Sequence, residues 1–273
     1  TRFLTSGGVN PRSFTRLTGP ANSLGTDGTD AERSNTGQLT SFAAMNGVIL
    51  EADINGFTNA SGYRYTDFSF RRAPGFFDVV AYAGGSPHSR SHNLGAVPEL
   101  ILVKNRSVGE NWAVYAGDPT SYLVLNSDAG ESTSGLYWSN TAPTSSTFTS
   151  GAAGATGGGG YNYIAYLFAT VPGVSKVGSY TGTGTTLNVD CGFSAGARFV
   201  LIKRTDDTGD WYVWDTARGI VSGNDPYLLF NSTAAEVTST DYIDPLSSGF
   251  QISSSAPAAI NASGGSFIFL AIA

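Results

Sequence analysis

The sequence predicts an all-β fold: two tandem antiparallel β-sandwich domains from an internal duplication, preceded by an irregular N-terminal arm. The first observation is a collinear repeat. Glu-Leu-Ile-Leu-Val-Lys at 99–104 aligns with Arg-Phe-Val-Leu-Ile-Lys at 198–203, and without a gap Trp112 and Tyr115 fall on Trp211 and Trp214. The second is local. Short runs rich in Val, Ile, Tyr, Phe and Trp recur between clusters of Gly, Asn, Asp and Ser, the composition of strands joined by turns. The third is the lack of any long stretch with the i, i+3, i+4 apolar spacing of a helix.

Taken in order, residues 1–73 contain Gly7-Gly8, Pro11, Pro20 and a polar stretch at 22–40. Only 39–54 has a sustained apolar pattern, too little for an independent core, so an arm ordered by contact with other subunits is expected. Residues 74–172 form the first repeat, with strands expected at 76–82, 100–104, 112–115, 122–126 and 163–171. The low-complexity stretch 150–160 reads as a flexible loop rather than a close backbone approach, because 256–265 occupies the equivalent place. At the joint, Pro172 lacks a ladder donor and Gly173 permits a sharp turn. Residues 173–273 form the second repeat. Tyr82-Ala-Gly matches Tyr180-Thr-Gly, Tyr122-Leu-Val-Leu-Asn-Ser matches Tyr227-Leu-Leu-Phe-Asn-Ser, and Glu131 matches Glu236. A period near 100 residues is the size of a whole sandwich, not of a solenoid repeat.

Charged residues make up 13 % of the chain, against about 25 % in an ordinary soluble domain. Gly, Ser, Thr and Asn fill the deficit. Net charge is −6, and no Lys/Arg cluster exceeds Arg71-Arg72. A nucleic-acid partner needs a basic face, so none is expected. No apolar run approaches the roughly 18 residues that span a bilayer, so no membrane insertion is expected. The start carries no secretory-signal pattern. Cys191 is the one cysteine, so no intrachain disulfide can form. It alternates with Val189 and Phe193 like a small core residue.

Chemistry-bearing motifs are sparse, and neither cofactor, metal nor catalytic set is expected. His88 and His92 stand in His-Ser-Arg-Ser-His without a neighbouring acid, and a solvated connection is the plainer reading. Asp206, Asp207 and Asp210 offer oxygens to a cation, but the first repeat lacks them and a hairpin turn explains them. Glu131 and Glu236 recur one per repeat, as caps or turns would. There is no Gly-x-Ser-x-Gly elbow and no phosphate-cradling loop.

The aromatic pairs carry more. Trp112/Tyr115 and Trp211/Trp214 are three apart, so on a strand the members of each pair face opposite sides. One enters the core; the other, Tyr115 or Trp214, is expected to face out, where aromatics stack on sugars and anchor interfaces. Trp in a sandwich is more often core. Trp138 nevertheless has no aromatic counterpart, Ile243 being nearest, and with Tyr137 it is expected to form an exposed recognition loop. His88 and His92, present in one repeat only, join Trp138, Tyr137, Tyr115 and Trp214 as candidate receptor-binding residues. Lys104/Lys203, Trp112/Trp211 and Asn126/Asn231, present in both, read as framework.

Several motifs resemble a domain of unassigned biochemical role found repeatedly in tail-fibre-like proteins of marine and freshwater bacteriophages. They are Pro-Gly-Phe-Phe-Asp-Val-Val-Ala-Tyr (74–82), His-Asn-Leu-Gly-Ala-Val-Pro-Glu-Leu-Ile-Leu-Val-Lys (92–104), Asn-Trp-Ala-Val-Tyr (111–115), Lys-Val-Gly-Ser-Tyr-Thr-Gly (176–182), Leu-Ile-Lys-Arg-Thr-Asp-Asp-Thr-Gly-Asp-Trp (201–211) and Asn-Ala-Ser-Gly-Gly-Ser-Phe-Ile (261–268). Cys191-Gly-Phe-Ser-Ala departs from the expected Gly-Phe-x-Pro. The resemblance implies a non-enzymatic virion protein on a tail or capsid surface: a tail fibre or receptor-binding subunit that contacts a bacterial surface glycan or protein. It implies docking to other virion proteins through residues 1–73 and assembly as a homotrimer. The alternative is a head fibre, decoration or tail adaptor protein with a purely structural role. A capsule depolymerase is the third reading.

Overall fold

A computed structural model describes residues 2–3, 10–34, 39–42, 47–51, 56–85 and 87–273. Seven short strands come first: β1 Arg2–Phe3, β2 Arg12–Ser13, β3 Asn22–Gly25, β4 Arg33–Ser34, β5 Leu39–Ser41, β6 Ile49–Leu50 and β7 Tyr65–Thr66. The first unit holds β8 Phe77–Ala83, β9 His88–Ser91, β10 Leu100–Asn105, β11 Ala113–Tyr115, β12 Ser121–Val124, β13 Ser132–Thr133, the one-turn helix α1 Gly135–Trp138, β14 Thr147–Ser150 and β15 Asn162–Phe168. The second holds β16 Ser175–Thr181, β17 Leu187–Asp190, β18 Phe199–Arg204, β19 Tyr212–Asp215, β20 Leu228–Leu229, β21 Ile243–Leu246, β22 Gly249–Ile252, α2 Ala258–Asn261 and β23 Ser266–Ile272.

The fold is all-β and antiparallel. The large sheet of the first unit runs β13-β12-β11-β10-β15-β8, and that of the second β20-β19-β18-β23-β16. Strand for strand the order is the same. A small sheet, β9-β14, accompanies the first large sheet; β17-β22-β21 accompanies the second. A bridge between Tyr227 and Val237 stands where β12 and β13 pair Tyr122 with Ser132.

The packing explains why central strands read as continuous apolar runs. Successive strand residues point to opposite faces, and here both faces are buried. On β10, Leu100 enters a central core while Ile101 and Val103 enter an outer core beneath β9-β14. On β18, Leu201 enters the central core, whereas Val200 and Ile202 face the second small sheet.

The central core also receives the N-terminal stretch. Leu24 lies in it with Leu123 and Leu228. Phe70 sits edge-on to Phe168 at 5.5 Å and to Phe199 at 5.9 Å. Thr26 Oγ1 donates to the Phe230 carbonyl at 2.9 Å, and Phe68 is edge-on to Phe230 at 6.0 Å. The described part of this stretch thus packs on the same chain, touching both units, where sequence reasoning looked to other subunits. Its β2-β3-β4 meander pairs Ser13 with Leu24 as β11-β12 pairs Val114 with Leu123.

The stretch 150–160 corrects an expectation: it is a site of close backbone approach. A Cβ at Gly151 would lie 2.1 Å from the Leu136 carbonyl oxygen, and one at Gly157 would lie 2.1 Å from that of Gly151. Only glycine lets these carbonyls come so near. Among the described residues no helix is long and apolar enough to cross a membrane.

Candidate ligand-binding cleft

The framework residues hold one contact pattern, made twice. Lys104 Nζ donates to the carbonyls of Thr29 (2.9 Å) and Glu110 (2.7 Å). Lys203 Nζ donates to those of Asp128 (2.8 Å) and Gly209 (2.6 Å). Trp112 Nε1 donates to the Gly25 carbonyl at 2.7 Å, Trp211 Nε1 to that of Val124 at 2.9 Å. Asn126 Oδ1 accepts the Trp112 N–H, and Asn231 Oδ1 accepts that of Trp211. Each junction therefore plugs an indole and a buried ammonium into backbone carbonyls of the preceding meander, the ammonium also holding one carbonyl of the turn after its own strand. Burial lowers the pKa of both lysines to about 8, because the charged form loses water.

The proposed recognition aromatics lie elsewhere than expected. Trp138 is 2 % exposed and its N–H donates to the Ser121 carbonyl at 2.9 Å, so the expectation of an exposed tryptophan is corrected. Tyr115 and Trp214 do face away from Trp112 and Trp211, but they are 4 % and 0 % exposed. The small sheets cover that face and create the second core, a layer that strand periodicity does not announce. Tyr137 is half-buried and stacks on Tyr122 at 3.6 Å. The same pair recurs as Tyr242 on Tyr227 at 5.7 Å. His88 is exposed on β9. His92 is buried rather than solvated: Nδ1 accepts the Leu94 N–H and Nε2 lies 3.2 Å from the Thr144 carbonyl. The structure gathers these six into no common site. Among the described residues no group of three or more His, Cys, Asp or Glu could hold a metal ion. Asp206 and Asp207 pair with Arg204 across the β18–β19 turn. Cys191 is buried, and burial pushes its thiol up to about 12.

A site missed by sequence reasoning emerges where the two units differ. Tyr82 on β8 pairs with Tyr163, and Tyr180 on β16 pairs with Phe267. Each tyrosine stacks on its neighbour, at 5.2 Å and 13° in the first unit and at 4.9 Å and 7° in the second. Each hydroxyl donates to a main-chain carbonyl at 2.7 Å, of Thr156 in a loop or of Ile260 in α2. Burial raises both phenol pKa values well above the ordinary range.

The units part at the next strand. In the first, Arg90 on β9 lies opposite Phe148; in the second, Val189 on β17 lies opposite Phe250. The Arg90 guanidinium sits 4.7 Å over the Tyr82 ring and donates to Ser150 Oγ (2.9 Å) and the Gly85 carbonyl (3.0 Å). Val189 carries no such arm. Beside Tyr180 there is instead a cleft of about 420 Å³, lined by Lys176, Gly178, Ser179, Tyr180, Asn188, Val189, Asp190 and Phe269. Its floor depends on Gly178, where a Cβ would come within 2.7 Å of the Phe269 ring; Val80 is the counterpart on β8.

The rim is polar and mixed in sign. Asn188 Oδ1 accepts from Gln251 Nε2 at 2.6 Å, an exposed contact between β17 and β22. Asp190 Oδ1 accepts the Gly192 N–H at 2.8 Å. Across Gly178 a second cleft of about 320 Å³ runs between the two units, with Glu99, Tyr115, Trp211 and Phe269 among its walls.

No curated protein and no solved structure matches the chain. A family model described as a domain of unknown function, DUF7483, matches residues 6–273, and the chain belongs to that family.

Proposed function

We propose that the chain is a non-enzymatic virion protein, a phage tail-fibre or receptor-binding subunit that contacts a bacterial surface glycan or protein. The observation that carries this reading is the division between recurring framework and a diverged face. Lys104/Lys203, Trp112/Trp211 and Asn126/Asn231 make matching internal contacts. Around Tyr180 one unit has a half-open, mixed-polarity cleft where the other is plugged. A rigid β scaffold with locally varied outer positions is suited to recognition, because binding residues work best on an immobile support. The low share of charged side chains and the motif resemblance to phage fibre domains support the same reading.

The experiment is direct. The purified chain, fluorescently labelled, is mixed with bacterial strains permissive and non-permissive for the phage that encodes it, and an antibody to it is used to label the particle. Binding to permissive cells together with label at the tail tip is the expected result. Label on the head with no cell binding would favour a decoration role.

A further inference from the structure

We infer that the cleft beside Tyr180 is a carbohydrate subsite that takes one neutral pyranose ring, the ring lying against the aromatic wall. The inference deepens the receptor-binding reading and rests on it for the biological source of the sugar, though not for the site itself.

The first unit shows what this space can hold. There Tyr82 is covered on one face by Tyr163 and capped by the Arg90 guanidinium at 4.7 Å, with two hydrogen bonds holding the guanidinium in place. A flat group of several polar atoms thus fits over the tyrosine. In the second unit the tyrosine, its stack and its hydroxyl contact are all kept. The plug is gone, with Val189 in its place, and Gly178 and Phe269 stand where Val80 and Ala165 stand in the first unit. The space left open is built, not a gap in poor packing: Tyr180 is fixed from behind by Phe267, and Gly178 lets Phe269 approach the backbone.

The chemistry of the walls selects the occupant. A bare cation would need the acceptors that hold Arg90, but Ile252 stands opposite Leu187 where Ser150 stands opposite His88. A fatty chain would leave Lys176, Ser179, Asn188 and Asp190 facing an apolar body at a desolvation cost. A pyranose has one face of C–H groups for an aromatic wall and a rim of hydroxyls that both donate and accept. The cleft provides the matching set. Tyr180 and Phe269 form the apolar side, the Lys176 stem lies over Gly178, and Ser179, Asn188 and Asp190, on the outward faces of their strands, supply donors and acceptors at the mouth. Lys176 and Asp190 offset each other in charge, which favours an uncharged sugar over a uronic acid or an amine.

The test uses the full 273-residue chain and methyl glycosides of D-glucose, D-galactose and N-acetyl-D-glucosamine, read by saturation-transfer NMR and by titration of backbone amide shifts. At least one glycoside is expected to receive saturation on the C–H groups of one ring face and to shift the amides of 176–180 and 188–190. Two variants check the site. Asn188→Ala leaves the fold intact and removes one donor, so affinity should fall about tenfold. Val189→Arg restores the plug of the first unit and should abolish both signals, with an unchanged amide spectrum elsewhere showing that the chain is folded. Absence of transfer from all three glycosides, or transfer undiminished in Val189→Arg, overturns the inference. The outcomes also separate the two readings. Permissive cells that bind Val189→Arg as well as the natural chain refute the subsite and leave receptor binding standing. A subsite confirmed with glycosides, in a chain that no permissive cell binds, refutes the receptor reading instead.

Discussion

Two places in the molecule share a frame and differ in their contents. Over Tyr82 lies Arg90; over Tyr180 lies a cleft of about 420 Å³. Three features beneath these positions are held in common: the stacked ring, the hydroxyl on a main-chain carbonyl and the strand register. The comparison teaches where this architecture tolerates change. Junctions that plug lysine and tryptophan into carbonyls are the same in both units. A position on β9 and β17, outside the central core, is free to differ, and its difference decides whether the surface is sealed or open.

The strongest challenge to that comparison is removal of the shared junction residues. Trp112→Ala and Trp211→Ala should each cost about 3–5 kcal/mol, from lost burial, a cavity and an orphaned carbonyl. Chemical denaturation measures this, and losses that differ by more than about 2 kcal/mol would end the claim that the junctions are equivalent. Next in size is the plug. Arg90→Ala should open a cleft over Tyr82 and cost about 1–2 kcal/mol, the sum of a cation–π contact and two hydrogen bonds replaced by water. A crystal structure of that variant in which neighbouring loops close the space would show the cleft to be a property of the second unit alone.

A smaller effect should appear with alkali. Folding lowers the pKa of Lys104 and Lys203 from 10.5 to about 8. Below pH 8 both folded and unfolded chains hold these protons. Between about pH 8 and 10.5 the unfolded chain keeps protons that the folded chain has released, so stability rises with pH through that window. The rise is read below pH 10, before tyrosines of the unfolded chain ionise. Lys203→Met should remove about half of it, and an unchanged slope would assign the effect to other groups.

The smallest effect separates the units again. Asp225 is fully buried and accepts the N–H groups of Tyr242 and Ile243, yet burial raises its carboxyl to about 6. By the spacing that relates Tyr122 to Tyr227, its counterpart is Thr120. Between pH 3.8 and 6 the folded chain holds a proton that the unfolded chain has lost, so this group makes stability fall as pH rises through the window. Asp225→Asn should flatten that part of the curve in thermal melts recorded from pH 4 to 7, while Thr120→Ala should leave it unchanged.

Much of the fold was legible because the two repeats could be compared. Strand positions, the Asp206–Asp210 turn and the shared roles of Lys104/Lys203, Trp112/Trp211 and Asn126/Asn231 follow from which residues recur and from period-two alternation. What escaped was tertiary. Residues three apart on β11 and β19 do face opposite sides, but a second layer buries the outward member, so Tyr115 and Trp214 were expected in solvent. Trp138 was misplaced for the same reason. The cleft was hidden because Ser-Arg-Ser at 89–91 and Asn-Val-Asp at 188–190 share no residue; only strand pairing sets Arg90 against Val189. The N-terminal stretch did carry a signal. Gly62-Tyr63-Arg64-Tyr65, Phe70 and Pro74-Gly75 repeat Gly160-Tyr161-Asn162-Tyr163, Phe168 and Pro172-Gly173. The strand register agrees, since Phe3 pairs with Tyr65 as Asn105 pairs with Tyr163. The missing apolar run between them masked the likeness.

The junctions also set a timetable for synthesis. The carbonyls of Gly25 and Thr29 are made early, and the indole and ammonium that satisfy them leave the ribosome some 80 residues later; Val124 and Asp128 wait as long for Trp211 and Lys203. A nascent chain stalled after the first unit has already closed its earlier junction but presents an open meander and the bare apolar face of a sheet. Contacts this distant in sequence form slowly and leave such faces exposed meanwhile. Chains arrested at residue 172 should therefore be protected from protease around Trp112 yet cut near Val124, and release of the remaining 101 residues should restore protection there.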